Sequence, residues 1–518
     1  MNVQKINWNV IWKRLPWKKF QRNLYRLQQR IFRNSQQGNY RRAKQLQRFL
    51  LKSKSAIYLA VRQVTQLNTG KKTAGVDGLA SLSPKQRLEL AKELLSLGLN
   101  WKHSGLRMIP IPKSDGSQRE LHVPNIKDRA YQCLLRYALE PMHEAYFHKN
   151  SFGFRPGYSV HDAMEALFKK LCQGTNKERW ILDGDIEKCF DRIDPKYLES
   201  QLICDRKMKQ AIRGILRAGV EPEFTPTEIG VPQGGCISPL LANVALNGIE
   251  IDHMVRYADD FACVFHTQEA AENERKRLDF ELAKRGLKIK EAKTRIVKSS
   301  EGFNFLGHHL KLYPDNVFRI SPSKDSIDNL LRKTKAIFRK AKHLGWHALT
   351  RKLNPILRGW WNFYRFCGNR SLSDGRVLRT LWVNIYKWYR SKRGKTAKHF
   401  TRFKERYGWK LVTTGNCPTA RWIKVQAHRS IFDGDVVYWA KRNKNLYDAY
   451  TVKALKRQDF TCSHCGLALI PGETIELHHI DGNHDNWRSS NLAALHRSCH
   501  QYQEVHVSSH LGTTAGAV

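Results

Sequence analysis

The chain has 518 residues, which is enough for two to four domains with sizeable cores. Its formal net charge of +44 indicates a polyanionic partner, either a nucleic acid or a membrane surface. The sequence contains no run of about 18 apolar residues, which excludes a membrane-spanning protein and favours a nucleic acid.

Cysteine usage and the N-terminal composition indicate the compartment. The first residues lack the apolar stretch of a secretory signal, and eleven cysteines without such a signal indicate free thiols in a reducing environment. We therefore expect a cytoplasmic protein. The N-terminus is rich in Arg and poor in acids, as an organellar presequence is, so import into an organelle is the alternative.

The first 76 residues contain 18 Lys and Arg and no acid. Apolar residues such as Leu24, Leu27 and Ile31 recur there at helical spacing, which predicts amphipathic helices with a basic outer face. A surface that is merely solvated mixes both signs of charge. We therefore interpret this N-terminal extension as a phosphate-contacting surface.

Residues 107–119 predict a basic β-hairpin. The first part alternates like a strand, its prolines confine it to a sheet edge, and residues 114–116 supply the turn. Such a hairpin would display Arg107, Lys113 and Arg119, which suit a clamp on a triphosphate. An ordinary basic hairpin is an equal alternative.

An acidic turn lies near the middle of the chain. The tetrapeptide Tyr257-Ala258-Asp259-Asp260 separates two apolar runs, which predicts two short buried strands joined by a tight turn that carries both acids. Adjacent carboxylates repel each other and are costly to desolvate, and a divalent cation removes that cost. The alternative is a hairpin whose acids simply face water.

A further acid, Asp185, lies 74 residues before Asp259. Residues 180–190 predict a strand that leaves the core with acids at its carboxyl end. Two strands of one sheet could bring these distant acids together. Three carboxylates at one point suit two hard cations that activate a 3′-hydroxyl and hold a leaving pyrophosphate in line.

Two turn-rich stretches accompany these acids. Residues 151–157 form a turn in which we expect Arg155 to be available to a phosphate. Residues 230–239 predict a loop that opens a helix, and the glycines of this loop allow the backbone to approach a base pair closely.

Residues 329–404 contain 21 Lys and Arg against a single acid, Asp374. Apolar residues such as Leu353, Leu357 and Trp361 recur at helical spacing, so most of the aromatic residues are expected to form the core of a helical bundle. Its basic surface suits structured RNA, which is recognised through phosphates, 2′-hydroxyls and shape.

The C-terminal region carries a second chemistry. Cys462 with Cys465 and His496 with Cys499 form two pairs with the same internal spacing, and such pairs suit one tetrahedral zinc ion. His464 lies inside the first pair, and we expect it to face solvent.

The central motifs, in their order and spacing, resemble those of a reverse transcriptase encoded by a mobile group II intron. The matching blocks are residues 107–119, 151–157, 185–190, 230–239, 257–260, 291–294 and 303–308. The resemblance implies a right-hand fold with fingers, palm and thumb. The sequence departs from the family at Glu120 and His122, where Pro and Gly are more frequent, which leaves the detailed geometry of the fingers open.

The same resemblance implies roles for individual residues. The implied catalytic acids, which would bind two Mg²⁺ ions, are Asp185, Asp259 and Asp260. The implied substrate-binding residues are Lys113 and Arg119 for the phosphates, Phe190 as the gate against a 2′-hydroxyl, and Gln233 for the incoming nucleotide or template, beside Arg107 on the hairpin. The basic bundle resembles the thumb and maturase domain of the same family, with residues 353–364 as the matching block.

Residues 476–481, followed by Asn491 and His500, resemble an HNH nuclease motif on a zinc-held scaffold of two strands and a helix. The resemblance implies that His479 is the general base that deprotonates water. His478, Asn491 and His500 would bind one divalent metal ion on the scissile phosphate. The alternative is a zinc knuckle that binds DNA without cutting it.

These features predict an α+β multidomain protein. A right-hand polymerase with an antiparallel sheet in its fingers and palm is followed by an α-helical thumb and maturase bundle and by a small zinc-held ββα HNH nuclease domain. The predicted domains are residues 1–55, a basic helical extension; 56–322, fingers and palm; 323–405, thumb and maturase; 406–455, a connecting region; and 456–518, the nuclease with a flexible tail. Residues 430–439 resemble the connecting region of the same family, and this resemblance implies that the region binds target DNA.

The predicted function is that of a multifunctional intron-encoded protein, both RNA-directed DNA polymerase and HNH DNA endonuclease. It would bind its group II intron RNA as a ribonucleoprotein in the bacterial cytoplasm, assist splicing, nick double-stranded target DNA and extend the new 3′-end with dNTPs. No membrane partner is expected. One alternative is a splicing maturase with inactive enzyme domains, and another is a reverse transcriptase that serves defence or diversification.

Overall fold

The computed structural model describes residues 7–500 with internal gaps. The gaps are residues 113–115, 117, 176, 369, 392–399, 401, 404–410, 427, 436, 440–441, 443–446, 467–468, 470–474 and 498. The candidate phosphate ligand Lys113 lies outside the described residues, and so does the predicted tail from residue 501 onward.

The N-terminal region is helical, as the sequence predicts. Its helices are α1 (Trp8–Arg14), α2 (Trp17–Gln36), α3 (Tyr40–Leu51), α4 (Lys54–Arg62) and α5 (Pro84–Leu97). Ser83 starts α5 with a capping box that it shares with Gln86. On α2 the basic residues Arg22, Arg26 and Arg30 are exposed, so the expected basic outer face is confirmed.

The fingers hairpin precedes a long buried helix. Strand β1 (Arg107–Pro112) pairs antiparallel with β2 (Gln118–Val123), and α6 (Ile126–Glu144) follows. The apolar faces of the N-terminal helices and of α6 belong to one core that continues into the palm. Gln28 donates from Nε2 to the Tyr137 carbonyl oxygen at 3.1 Å, which ties α2 to α6.

The palm contains most of the remaining strands. Its elements are α7 (Val160–Leu171), β3 (Trp180–Asp185), α8 (Cys189–Arg192), α9 (Pro195–Gln201), α10 (Arg206–Leu216), α11 (Ser238–Leu246), β4 (Met254–Tyr257), β5 (Asp260–Phe265), α12 (Gln268–Ala283), β6 (Arg295–Lys298), β7 (Phe303–Phe305), β8 (His308–Leu312) and β9 (Phe318–Pro322). Strands β4, β5, β3 and β6 form one antiparallel sheet in that order, and β7, β8 and β9 form a second sheet.

Strand β5, in the interior of the four-stranded sheet, is buried on both faces. Along β5, Phe261 and Cys263 point into the core shared with the N-terminal helices, while Ala262 and Val264 point into a second core. That second core also contains apolar residues of α7 and of the β7–β9 sheet. Alternate side chains of β5 thus pack into two different cores. A shift of one residue would exchange the two sets of side chains, so this packing fixes the register of the strand.

In the region predicted to be the thumb, the described residues form a bundle of helices α13 (Lys324–Lys340), α14 (Trp346–Tyr364) and α15 (Ser371–Arg390). Leu353, Leu357 and Trp361 of α14 are completely buried in its core, and Trp388 of α15 packs with them. This confirms the expectation that the apolar residues at helical spacing form the interior of a bundle.

The C-terminal region contains helix α16 (Ala449–Arg457) and an antiparallel hairpin of β10 (Ile475–His479) and β11 (Leu492–His496). These elements share a small core with Cys462, Leu469 and Cys499. No helix within the described ranges has both the length and the apolar character needed to cross a bilayer.

A buried ion pair fastens Arg442, in the predicted connecting region, to helix α7. Arg442 donates from Nη2 to both carboxylate oxygens of Asp162, at 2.9 and 2.8 Å, and both side chains are almost inaccessible to solvent. Asp162 also accepts hydrogen bonds from Trp422 Nε1 at 3.1 Å and from the Val425 backbone at 2.7 Å. One carboxylate at the start of α7 therefore holds three residues of a distant segment.

We expect Asp162→Ala to lower the free energy of unfolding by about 3–5 kcal/mol, because the substitution leaves the Arg442 guanidinium buried without its counter-charge. Urea unfolding followed by tryptophan fluorescence measures this loss, since Trp422 lies beside the pair. The control is Asp315→Ala, which removes a partner of Arg319 at the surface and should leave the urea midpoint unchanged. Equal effects of the two substitutions would contradict the role given to Asp162.

Candidate functional sites

The predicted acids meet at one end of the palm sheet. Antiparallel pairing of β3 with β5 places Asp185 directly opposite Asp260, and the Ile186 backbone donates to the Asp259 carbonyl oxygen at 3.2 Å. The predicted convergence of these distant acids is therefore present in the structure. Asp185 is the last residue of β3, Asp259 lies in the turn between β4 and β5, and Asp260 is the first residue of β5.

The turn between β4 and β5 is held in an unusual conformation. Ala258 has a φ of +57°, in the left-handed region, and its carbonyl oxygen accepts a hydrogen bond of 2.9 Å from Arg256 Nη1. Arg256 is fully buried and paired with the equally buried Glu250. A Cβ atom added at Gly153 would lie 2.2 Å from the Ala258 nitrogen, so residues 151–157 pack directly behind the acidic turn.

Electrostatics at the three acids favour a bound cation. Burial, with the negative charges of Asp259 and Asp185 as smaller causes, raises the pKa of Asp260 to about 7. Burial is also the main cause of the raised pKa of Asp259. Carboxylate oxygens that repel each other in a partly dry site are the ligands that Mg²⁺ prefers, so the residues fit the predicted metal.

Lys293 is a site residue for which the sequence suggested no role. It lies after α12, and its Nζ donates to Asp185 Oδ2 at 2.9 Å. This hydrogen bond is the main cause of the raised pKa of Lys293. The residue belongs to the block 291–294 that carries the family resemblance, but only the three-dimensional pairing of β3 with β6 brings it to the acids.

The fingers hairpin reaches the palm through Gln233. Arg119 Nε donates to Gln233 Oε1, and the His122 backbone donates to the Gln233 carbonyl oxygen at 2.7 Å. Gln233 Nε2 in turn donates to Asp191 Oδ1 at 2.8 Å. A Cβ atom at Gly234 would lie 2.8 Å from the His122 carbonyl oxygen, so this glycine permits the close approach of hairpin and loop.

The two described arginines of the hairpin share one face. Arg119 is opposite Ile111, which lies two pleats from Arg107 on β1, so both arginine side chains point to the same side. Both are exposed, as a phosphate clamp requires. Phe190 is half-buried at the start of α8, with its ring centroid 6.1 Å from that of Phe154.

The expectation for Arg155 is wrong. Its guanidinium is buried and donates to both carboxylate oxygens of Glu144, with the shortest contact at 2.8 Å. It also donates to the carbonyl oxygens of His148 and Ser151. Glu144 is the last residue of α6 and lies eleven residues before Arg155, outside the 151–157 motif, so the motif alone could not reveal that this arginine has a structural partner.

The four predicted zinc ligands form one cluster. The ligand atoms of Cys462, Cys465, His496 and Cys499 all lie within 4.8 Å of one another. Hydrogen bonds with the thiols of Cys465 and Cys499 hold the pKa of Cys462 below its ordinary value, which favours the thiolate form that metals bind. His464 is exposed, as expected, and is not a member of the cluster.

The predicted nuclease residues surround the β10–β11 hairpin. His478 and His500 lie with ring centroids 5.2 Å apart, and His500 Nδ1 is 2.9 Å from Glu476 Oε2. Asn491 donates to Asp481 Oδ1 and accepts from the Asp481 backbone, so its amide closes the loop between the strands. His479 is the last residue of β10.

His479 is only 5% exposed, and neither ring nitrogen has a hydrogen-bond partner among the described residues. Its ring is edge-on to Trp487 at 4.9 Å, and the guanidinium of Arg358, on thumb helix α14, lies 4.3 Å from the Trp487 ring. Burial lowers the pKa of His479, so the imidazole is neutral near pH 7, as a general base must be.

Comparison with known protein families supports this arrangement. Residues 111–310 match the reverse transcriptase (RNA-dependent DNA polymerase) family, and residues 12–94 match the N-terminal domain of reverse transcriptase. Residues 327–408 match the group II intron, maturase-specific domain. The first match includes strand β2 of the hairpin and the three acids, and the third includes most of the bundle of α13, α14 and α15.

Individual relatives agree with the family matches. Maturase-like protein 1 of Euglena gracilis is 31% identical over 363 residues, which cover 69% of this chain and 78% of the relative. Protein YkfC of Escherichia coli strain K12 is 30% identical, over 48% of this chain and 78% of the relative. The group II intron-encoded protein LtrA of Lactococcus lactis subsp. cremoris is 33% identical over 44% of this chain and 38% of the relative. The chain belongs to the family of group II intron-encoded reverse transcriptases and maturases.

Proposed function

We propose that the protein is an RNA-directed DNA polymerase that binds the group II intron encoding it, assists the splicing of that intron and copies it into DNA at a target site. The observation that carries the proposal is the meeting of Asp185, Asp259 and Asp260 at one end of a rigid sheet. A site of this kind has no evident use in RNA binding alone, which argues against a maturase with inactive enzyme domains.

Each residue of the polymerase site has its own proposed role in nucleotide transfer. Asp185, Asp259 and Asp260 would hold two Mg²⁺ ions, which would supply charge neutralisation at the phosphates during nucleotide transfer. Arg119 would leave Gln233 and pair with the phosphates of a dNTP, assisted by Arg107 on the same face of the hairpin. Gln233 would then be free to contact the nucleotide or template while Asp191 keeps its amide oriented.

The RNA-binding role rests on charge and on burial. The basic residues of α2 are exposed, as are Arg351 and Lys352 of α14, while apolar residues such as Phe32 and Trp361 are buried, so the helices present charge to a partner. A dispersed basic surface of this kind suits the phosphates of a folded RNA. This surface and the maturase-specific domain favour intron RNA over the partners of a defence or diversification enzyme.

We expect Asp259→Asn to reduce primer extension on an RNA template by about a thousandfold or more. Metal-ion stabilisation supplies several kcal/mol to the transition state, and each ~1.4 kcal/mol corresponds to a factor of ten in rate. Splicing of the intron RNA and binding of that RNA should be unchanged, because neither needs the metal ligands.

The matched control is Asp279→Asn, which removes an exposed carboxylate on α12 and should leave all three measurements unchanged. Loss of splicing together with primer extension in Asp259→Asn, with RNA binding intact, would refute the separation of the two functions. Full primer extension in that variant would refute the assignment of the metal site.

A second function is favoured by the C-terminal arrangement. We infer that residues 456–500 form a zinc-held HNH endonuclease that nicks double-stranded target DNA, so that the new 3′-hydroxyl primes cDNA synthesis. The supporting observation is the β10–β11 hairpin, which is flanked by the Cys and His cluster and places His478 beside His500. In this proposal His479 deprotonates water, and His478, Asn491 and His500 hold the divalent metal ion at the scissile phosphate.

The zinc proposal predicts the metal content of the purified protein. Wild-type protein should carry about one zinc ion per chain, as a closed site with Cys and His ligands does, and Cys462→Ser should carry almost none. Inductively coupled plasma mass spectrometry measures the zinc content per chain and distinguishes these cases. Cys172→Ser, which changes a half-buried free thiol outside the cluster, should keep its zinc. Wild-type protein purified without zinc would contradict the proposal.

The nuclease proposal predicts that His479→Ala abolishes nicking of supercoiled DNA and leaves primer extension intact. A general base supplies a factor of about 10²–10⁴ in rate. Primer extension should be unaffected, because the polymerase acids lie on β3, β5 and the turn before β5, outside the C-terminal hairpin. The exposed His464 provides the control, because His464→Ala changes a histidine of the same knuckle outside the proposed machinery. A domain that binds DNA with no nicking activity in the wild type would support the zinc-knuckle alternative instead.

A further inference from the structure

Phe154 stands out among the residues around the polymerase site. It is a large apolar side chain with 48% of its surface exposed, and its φ of +60° lies in the left-handed region. A bulky residue rarely adopts this conformation, because its Cβ crowds the neighbouring carbonyl oxygen. Such outliers persist only where the surroundings impose them, and they cluster at functional sites.

The surroundings of Phe154 do impose its conformation. The preceding Gly153 packs against the backbone of Ala258 and accepts a hydrogen bond of 2.8 Å from Asn243 Nδ2. The following Arg155 is locked in its buried ion pair with Glu144. The backbone is thus fixed on both sides of Phe154, while its side chain is directed outward.

The exposed ring meets the proposed sugar gate. The ring centroids of Phe154 and Phe190 are 6.1 Å apart with an interplanar angle of 75°, an edge-to-face contact within the favourable range. Phe190 is half-buried and lies five residues beyond Asp185. The Phe190 ring is therefore contacted by Phe154, which belongs to the separate turn formed by residues 151–157.

We propose that Phe154 is a positioning residue for Phe190. It holds the gate ring edge-on, so that the ring stays against the sugar of the incoming nucleotide and rejects a 2′-hydroxyl. The strained backbone at Phe154 places an aromatic ring where a side chain in an ordinary conformation would not reach. This inference rests on the proposed polymerase function and on the proposed role of Phe190, and it adds a second residue on which discrimination between dNTPs and rNTPs depends.

The test is single-nucleotide incorporation on an RNA template with a DNA primer, with dATP and ATP compared through kcat/KM. We expect Phe154→Ala and Phe154→Gly to lower the preference for dATP about threefold to tenfold, the effect of losing one aromatic pair. Phe154→Tyr, which keeps the ring, should retain the preference. In a Phe190→Ala background, Phe154→Ala should cause no further loss, because the ring that it positions is absent.

Phe154→Gly separates this role from a structural one. Glycine adopts a φ of +60° without strain, so the melting temperature should stay equal or rise while discrimination falls. The matched control is Phe224→Gly. Phe224 has a φ of +52°, is 46% exposed, and its ring packs on Gly105. The control should show the same thermal behaviour with unchanged discrimination.

Three results would overturn the inference: unchanged discrimination in Phe154→Gly, additive losses from Phe154→Ala and Phe190→Ala, or an equal loss in Phe224→Gly. Each of these leaves the polymerase proposal standing, because wild-type protein still incorporates dATP. A wild-type protein that incorporates no nucleotide would overturn the polymerase proposal and this inference together.

Discussion

The polymerase site depends on like charges that are held together against their repulsion. Asp185 and Asp260 face each other across β3 and β5, and Asp259 is next in the chain. Without a rigid frame, the turn would open and the carboxylates would separate. The frame consists of strands buried on both faces and of Arg256, which holds the carbonyl oxygen of Ala258. A cation then stabilises an arrangement that the polypeptide has already imposed.

Two buried arginines extend this frame to the neighbouring turn. Arg155 donates to the carbonyl oxygen of Ser151 and Arg256 Nη2 donates to its hydroxyl, each at 2.7 Å, while their charges are balanced by Glu144 and Glu250. Buried ion pairs contribute little net stability, but each one is costly to break by loss of a single partner. They therefore define one geometry for residues 151–157, and the strained position of Phe154 follows from it.

Local patterns in the sequence predicted the helices and strands better than they predicted which side chains would contact each other. The apolar runs around Asp259 predicted β4 and β5, and the spacing of apolar residues around Trp361 predicted α14. Both predictions were possible because the hydrophobic periodicity of a strand or helix is visible within a short stretch of sequence. The environment of Arg155 could not be read in this way, since its counter-charge comes from α6. Likewise, the contact between Lys293 and Asp185 depends on the register of β6 with β3, which no short motif encodes. Long-range pairing decides whether a basic residue near a motif faces substrate or a carboxylate.

The C-terminal hairpin region also has a partner that is distant in sequence, the thumb helix α14. Trp487 lies between His479 and Arg358, so the candidate base is covered by a ring that the maturase bundle itself contacts. Both ring nitrogens of His479 are buried, and its ring lies against those of Trp487 and His484. Helix α14, whose matching block carries the maturase resemblance, therefore contributes to the thumb core and also contacts Trp487, the neighbour of His479. If His479 is the nuclease base, its buried ring nitrogens must become accessible before it can act, and Trp487 is one of the side chains that lie against its ring.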